Sequence, residues 1–204
     1  MLITFEGIDG SGKSTNIRNL RQYLEEKGYD VQVFREPGGT VLSEQIREIL
    51  LNSDEDIHPI AESLLFSAAR AQLVAACIRP ALAEGAVVIV DRFFDSTTAY
   101  QGYGREVIPV WQIDQLNNLA TQHLEPDITF YLRLPPEEAQ RRRAREGSED
   151  RLERSGEAFF ERVSKGFDQL AAEKERFITL DSTQPVEILT EQIVSHLKPK
   201  LDRL

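Results

Sequence analysis

A single cysteine, Cys77, stands in this chain of 204 residues, which excludes an intrachain disulfide and suits an intracellular setting. Within "AQLVAACIRPAL" that thiol reads as a buried, inert residue. No basic-apolar-small segment opens the chain, because "MLITFEG" reaches a glutamate by residue 6, so no secretory signal is expected. No apolar run approaches the ~20 residues of a membrane span, so the expectation is a cytoplasmic protein without a membrane partner. An excess of positive charge is missing too. The net charge of −10 and pI near 4.9 argue against a general nucleic-acid binder, and no nucleic-acid partner is expected. The three histidines, His58, His123 and His196, lack ligand spacing and read as structural or surface residues. The acidic "SDEDIHP" (53–59) reads as a solvated loop rather than a metal site.

What is present is an ordinary globular composition, 41% hydrophobic and 28% charged, without internal repeats, low-complexity tracts or a linker. One compact domain over 1–204 is expected. Short β-rich runs, Leu2–Glu6, Val31–Arg35, Ala86–Asp91, Ile128–Leu134 and Phe177–Leu180, alternate with helical patterns. The helices are expected at Asn16–Lys27, Ser43–Leu51, Ala61–Ala83, Val110–Gln122, Pro136–Arg145, Glu157–Lys174 and Pro185–Leu197. Trp111 is expected to pack within an amphipathic helix. The runs at 87–90 and 128–132 are continuously apolar, as central strands covered on both faces would be. Such alternation predicts an α/β fold: a doubly wound, parallel, five-stranded sheet flanked by helices.

The first strand runs into "FEGIDGSGKST", in which residues 7–14 match G-x-x-x-x-G-K-[ST]. Glycines there let backbone N–H groups wrap a phosphate, and the following helix directs its positive end at the anion. Lys13 is expected to reach the β- and γ-phosphates, and the Ser14 hydroxyl to bind Mg²⁺. A dinucleotide-binding loop fits poorly, because Thr15 replaces the last glycine of G-x-G-x-x-G. "AVVIVDR" supplies the other half of the site. Asp91 ends that strand near Mg²⁺ or its water, and Arg92 points into the crevice where open α/β sheets bind ligands.

Arg141, Arg142, Arg143, Arg145, Arg151 and Arg154 crowd "QRRRAREGSEDRLERSG". Most read as an exposed face neutralised by neighbouring acids, with one or two reaching a phosphate. Gly147 and Ser148 break this segment, about 141–154, as a closing lid requires.

Together, "FEGIDGSGKST", "FREPGGT", "LLFSAAR", "DRFFDSTTAYQGYGR" and the arginine-rich lid resemble the bacterial thymidylate kinases over nearly the whole chain. The resemblance implies a P-loop NTPase-type fold, phosphorylation of dTMP to dTDP by ATP with Mg²⁺, for dTTP synthesis, and a homodimer. It implies an ATP-binding loop of Gly7, Ile8, Asp9, Gly10, Ser11, Gly12, Lys13, Ser14 and Thr15. It also accounts for a carboxylate inside an anion-binding loop. Asp9 matches the acidic residue that accepts a hydrogen bond from the 3′-hydroxyl of dTMP.

Further matches follow. Glu36, Pro37 and Gly38 match the loop lining the acceptor site, which Arg47 contacts from the next helix. Phe66 matches the ring stacked on thymine, Arg70 the contact to thymine O4, and Arg92 the acceptor-phosphate arginine. Thr97, Tyr100 and Gln101 match positions around the base and deoxyribose, where Tyr100 would crowd a 2′-hydroxyl. Many members have Glu at the position of Asp9, Tyr or His at Phe93, and some have Asn at Thr97. Some also carry an arginine where Gly10 stands, so Lys13 is the only cation of this loop. A lid arginine, Arg143, Arg145 or Arg151, is therefore implied to join Lys13 and Arg92 around the transferring phosphoryl group. The alternatives are another nucleoside or nucleoside-monophosphate kinase, or a GTPase-like switch. The latter would need an N-K-x-D segment, and none occurs.

Overall fold

The apolar runs become five strands: β1 (Leu2–Glu6), β2 (Val31–Arg35), β3 (Val87–Asp91), β4 (Ile128–Arg133) and β5 (Phe177–Asp181). In the computed structural model, which describes residues 1–144 and 151–201 apart from the side chains of Arg143 and Glu153, they form one sheet in the order β2-β3-β1-β4-β5. Every described pairing is parallel. The sheet is buried on both sides. Ile3, Phe5, Ile89 and Phe130 pack toward α1 (Lys13–Glu26) and α9 (Val186–Leu201), while Leu2, Val88 and Val90 join Leu73 and Ile78 on the opposite side. This two-sided burial is why the strands lack polar alternation.

β1 lies at the centre, with Phe5 opposite both Asp91 of β3 and Phe130 of β4. The Arg92 N–H donates to the Phe5 carbonyl at 2.9 Å. The loops leaving β1 and β3 therefore start side by side at the C-terminal edge, where open sheets of this kind form their ligand crevice.

Helices α2 (Val41–Asn52), α6 (Val110–Thr121), α7 (Pro136–Arg143) and α8 (Glu157–Glu173) lie near the expected positions. Helix α1 starts three residues early, at Lys13, because Gly12 (φ 82°) takes the left-handed backbone that caps it.

The segment 94–104, assigned no helix from its sequence, forms α5 (Phe94–Thr97) and a π-helical stretch, Thr98–Gly104. Its threonines and glycines give no helical periodicity; packing against α8 holds it. A Cβ on Gly104 would meet Phe159 at 2.7 Å, and one on Gly166 would meet Tyr103 at 2.8 Å.

Three expectations need correction. First, α3 (Pro59–Leu73), a π-helical turn (Val74–Ile78) and α4 (Arg79–Ala83) form one continuous run, Pro59–Ala83, long and apolar enough by length and composition to cross a membrane. Glu62 and Arg70 lie on it as buried charges with protein partners, as in a core helix. Second, Trp111 is 59% exposed rather than packed. Third, Cys77 is only half-buried.

Candidate active site

At the edge of β1 the loop closes on itself, with Ser11 N–H donating to the Ile8 carbonyl at 3.2 Å. Gly7 (φ 136°) admits no side chain, since a Cβ would meet the Leu132 carbonyl oxygen at 2.6 Å. The Lys13 ammonium is buried and donates to the carbonyls of Gly7 at 3.0 Å and Ile8 at 3.2 Å. Burial, then Arg92 nearby, lowers its pKa from the usual lysine value. Its charge is thus sparingly solvated and available to an anion.

Ser14 donates to Asp91 Oδ2 at 3.3 Å, so the two expected metal ligands meet. A hydroxyl and a carboxylate are oxygen donors suited to Mg²⁺. Among the described residues no cluster of three or more His, Cys, Asp or Glu could hold a metal, so further ligands would come from phosphate and water.

Two cavities open here. Gly10, Gly12, Lys13, Ser14, Thr15 and Asp91 line the first; Gly7, Ile8 and Ser11 are not among its lining residues. The second gathers the residues expected around an acceptor except Gly38: Asp9, Glu36, Pro37, Arg47, Phe66, Arg70, Arg92, Thr97, Tyr100 and Gln101. Asp9, Glu36, Arg47 and Arg92 belong to both cavities. Asp9 thus stands between the two spaces, where its Oδ1 accepts from Arg92 at 2.7 Å. Arg92 takes a left-handed backbone (φ 66°) and also donates to Ser96 Oγ at 3.1 Å and to the Tyr100 hydroxyl at 3.2 Å. Arg47 donates to the Pro37 carbonyl at 3.0 Å.

Arg70 is 1% exposed. It donates through Nε to Glu36 at 2.7 Å, through Nη1 to Asn117 at 3.3 Å, and through Nη2 to the Phe93 carbonyl at 3.3 Å and Thr97 Oγ1 at 3.0 Å. These bonds leave one Nη1 hydrogen for a ligand. Glu36 is pushed up to about 6 because burial outweighs its pairing with Arg70.

Beneath the loop lies Glu6, which the sequence reading passed over. It is fully buried, accepts from the Phe93 N–H at 2.8 Å and contacts Ser96 Oγ at 2.5 Å. Burial, then the Asp95 charge, pushes it up to about 8. A carboxyl whose folded pKa is raised gives its full stability below its unfolded value and loses it as pH rises through the folded one. Here that window runs from 4.5 to about 8, and its upper bound is on the order of 3–5 kcal/mol. Urea unfolding at both ends of the window should therefore show a smaller pH-dependent loss in Glu6→Gln than in the parent. Equal losses would mean that Glu6 does not titrate there.

The cavities contain residues that the sequence reading did not select. Leu51, Phe93, Ser96 and Leu152 line the acceptor space; Arg35 and Arg142 line the loop side. Arg142, earlier only a member of the basic cluster, donates to the Gly10 carbonyl at 3.3 Å and the Ser182 carbonyl at 3.0 Å. No sequence signal separates it from its neighbours. Of the lid candidates, Arg145 and the side chain of Arg143 lie outside the described residues. Arg151 pairs with Glu62 and donates to the Leu50 carbonyl at 2.8 Å.

A sequence model described as thymidylate kinase matches residues 5–193. The "Thymidylate kinase" of Chlorobium chlorochromatii (strain CaD3) is 49% identical, over 98% of this chain and 96% of the relative. That of Prosthecochloris aestuarii (strain DSM 271 / SK 413) is 50% identical, over 96% and 93%. The crystal structure of thymidylate kinase from Ehrlichia chaffeensis superimposes with a TM-score of 0.80 at 35% identity, covering 97% of this chain and 98% of that one.

Proposed function

Because this chain belongs to the thymidylate kinase family, whose activity is phosphorylation of dTMP to dTDP for dTTP synthesis, we propose that its two cavities hold ATP and dTMP in line. The observation that carries this reading is their shared boundary of Asp9, Glu36, Arg47 and Arg92. A dTMP phosphate oxygen bonds to the γ-phosphorus, the bond from that phosphorus to the β,γ-bridging oxygen breaks, and ADP leaves. Little covalent participation by protein is needed, so positioning and charge dominate.

Lys13 exchanges its loop carbonyls for donor phosphate oxygens. Arg92, aimed by Asp9 and Tyr100, takes the acceptor phosphate, while Asp9 accepts from the sugar 3′-hydroxyl. Ser14 and Asp91 would hold Mg²⁺, which supplies charge neutralisation on the phosphates. Phe66 stacks on the base, Arg70 donates to O4 and the Gln101 carbonyl accepts from N3–H. The reading takes residues 1–204 as one kinase domain and its compartment as the cytoplasm, which cell fractionation checks.

A coupled ADP-release assay over the common nucleoside monophosphates tests the acceptor assignment. dTMP should be fastest. dUMP should be slower but real, because the methyl it lacks is worth roughly 1 kcal/mol in an apolar pocket. dCMP or AMP turnover matching that of dTMP would overturn it.

The reading also includes a homodimer. α3 packs between α2 and α6. Ile60 and Leu64 on α3 and Trp111 and Leu119 on α6 are 47–75% exposed. Apolar side chains so exposed on neighbouring helices suit a second copy. Light scattering should give the parent twice the 23.2 kDa chain mass, and the Leu64→Glu, Trp111→Glu double variant the single mass. A monomeric parent would rule the dimer out.

A further inference from the structure

We propose that Glu62, which does not line the acceptor cavity, fixes the hydrogen-bond polarity of Gln101 and so makes the cavity select pyrimidines that carry an N3–H. A glutamine amide is two-faced, and nothing in its shape decides whether it shows a ligand its carbonyl or its NH₂. Gln101 is 2% exposed, lines the acceptor cavity, and places Nε2 3.0 Å from Glu62 Oε1. An ionised carboxylate only accepts, so that contact requires the NH₂ and turns the carbonyl oxygen toward other partners. Among the described residues, none donates a hydrogen bond to the Gln101 Oε1 atom.

Glu62 must stay ionised and still for this to work. It is fully buried on α3. Arg105 grips it with both arms, Nε to Oε1 at 3.1 Å and Nη2 to Oε2 at 3.1 Å, and Arg151 pairs with the same Oε2. Burial alone would raise its pKa, but the hydrogen bonds from Arg105, Gln101 and Arg151 bring it below the ordinary carboxylate value. The carboxylate is therefore ionised at neutral pH, and its acceptor face stays on Gln101.

The consequence is a donor–acceptor code. Thymine and uracil offer N3–H, which a carbonyl accepts; cytosine offers a bare N3, which a carbonyl repels. A site built for one pattern loses much of its affinity for the other, because a buried polar group is left unpaired. Arg70 can donate only, which matches O4 in the same code. Glu62 touches no ligand in this scheme. It is a positioning residue acting through Gln101, and the inference rests on the acceptor base lying against Phe66.

The test compares kcat/KM for dTMP, dUMP and dCMP in the parent, Glu62→Gln, Glu62→Asp and Gln101→Leu. Glu62→Gln presents an amide that can donate as well as accept, so Gln101 can turn over. Glu62→Asp keeps a charge for Arg105 and Arg151 but withdraws its oxygen from Gln101, and it serves if the first variant fails to fold. The expected result is a rise of at least tenfold in the dCMP-to-dTMP ratio, with the dUMP-to-dTMP ratio unchanged because both bases carry N3–H. If all three substrates fall together, Glu62 only supports the fold and the inference is overturned. If Gln101→Leu leaves dTMP KM unchanged, the placement of the base fails instead.

Discussion

Arg70→Met is expected to remove on the order of 3–5 kcal/mol of stability, the usual cost of breaking a buried ion pair from one side. The reason lies in what remains. Glu36 is 5% exposed and its Oε1 already lacks a hydrogen-bond partner among the described residues, so without Arg70 both oxygens would be unpaired there. Asn117 and Thr97 would lose a donor as well. Domains hold only about 5–15 kcal/mol in total, so roughly a fifth or more of the margin is at stake.

The pH sign is fixed by Glu36. Its pKa is already raised to about 6, and losing the guanidinium raises it further, so the variant folds best with that carboxyl protonated. The loss should therefore be smallest below the unfolded value of 4.5 and grow as pH rises through and above 6. Urea unfolding of parent and variant at pH 4.5 and pH 8 measures this. A loss under about 1 kcal/mol at both values would mean that Glu36 is neutral in the parent and the pair is not ionic. If Arg70 donates to O4 as proposed, the surviving protein should also lose preference for dTMP over dCMP.

The fold was legible because its signals are local. Five apolar runs fell at the strands, and the glycines and lysine of residues 7–15 described their loop without help from distant residues. That Phe66, Arg70 and Gln101 share a cavity was legible only through motif resemblance, since nothing local says so. What escaped depends on contacts far apart in sequence. Glu62 looks like a surface acid in "AESLLFSAAR", yet its partners Gln101 and Arg151 lie 39 and 89 positions away. Glu6 reads as the end of a strand until Phe93, just after β3, and Ser96, on α5, arrive to bury it. The 94–104 segment has no helical pattern because α8 enforces its shape. Arg142 was hidden among identical neighbours. Trp111 failed for the opposite reason: a large apolar residue was assumed to be covered within its own chain.

The largest catalytic effect is expected from one lid arginine. The phosphoryl group in flight spreads charge over its oxygens, and a guanidinium fork matches that geometry better than an ammonium. Gly10 contributes no cation, so Lys13 stands alone in the loop. Arg92 is held by Asp9 on the acceptor side, and Arg142 is engaged by the Gly10 and Ser182 carbonyls. The remaining candidates are Arg143, Arg145 and Arg151. Arg151 spends its guanidinium on the Leu50 carbonyl and on Glu62, which also holds Gln101 of the acceptor cavity, so Arg151→Ala should mainly raise dTMP KM and leave saturated turnover within a few-fold. Arg143→Ala or Arg145→Ala should lower kcat by about 10³-fold with dTMP affinity little changed, as removal of a transition-state arginine does. Turnover of the three single variants at saturating ATP and dTMP, with dTMP binding measured separately, distinguishes the cases. If Arg151→Ala alone carries the loss in kcat, its clasp on Glu62 is released during turnover and Arg151 is the transition-state arginine. If all three retain kcat, the charge is met from outside the lid, and Arg142, already lining the loop cavity, becomes the residue to replace.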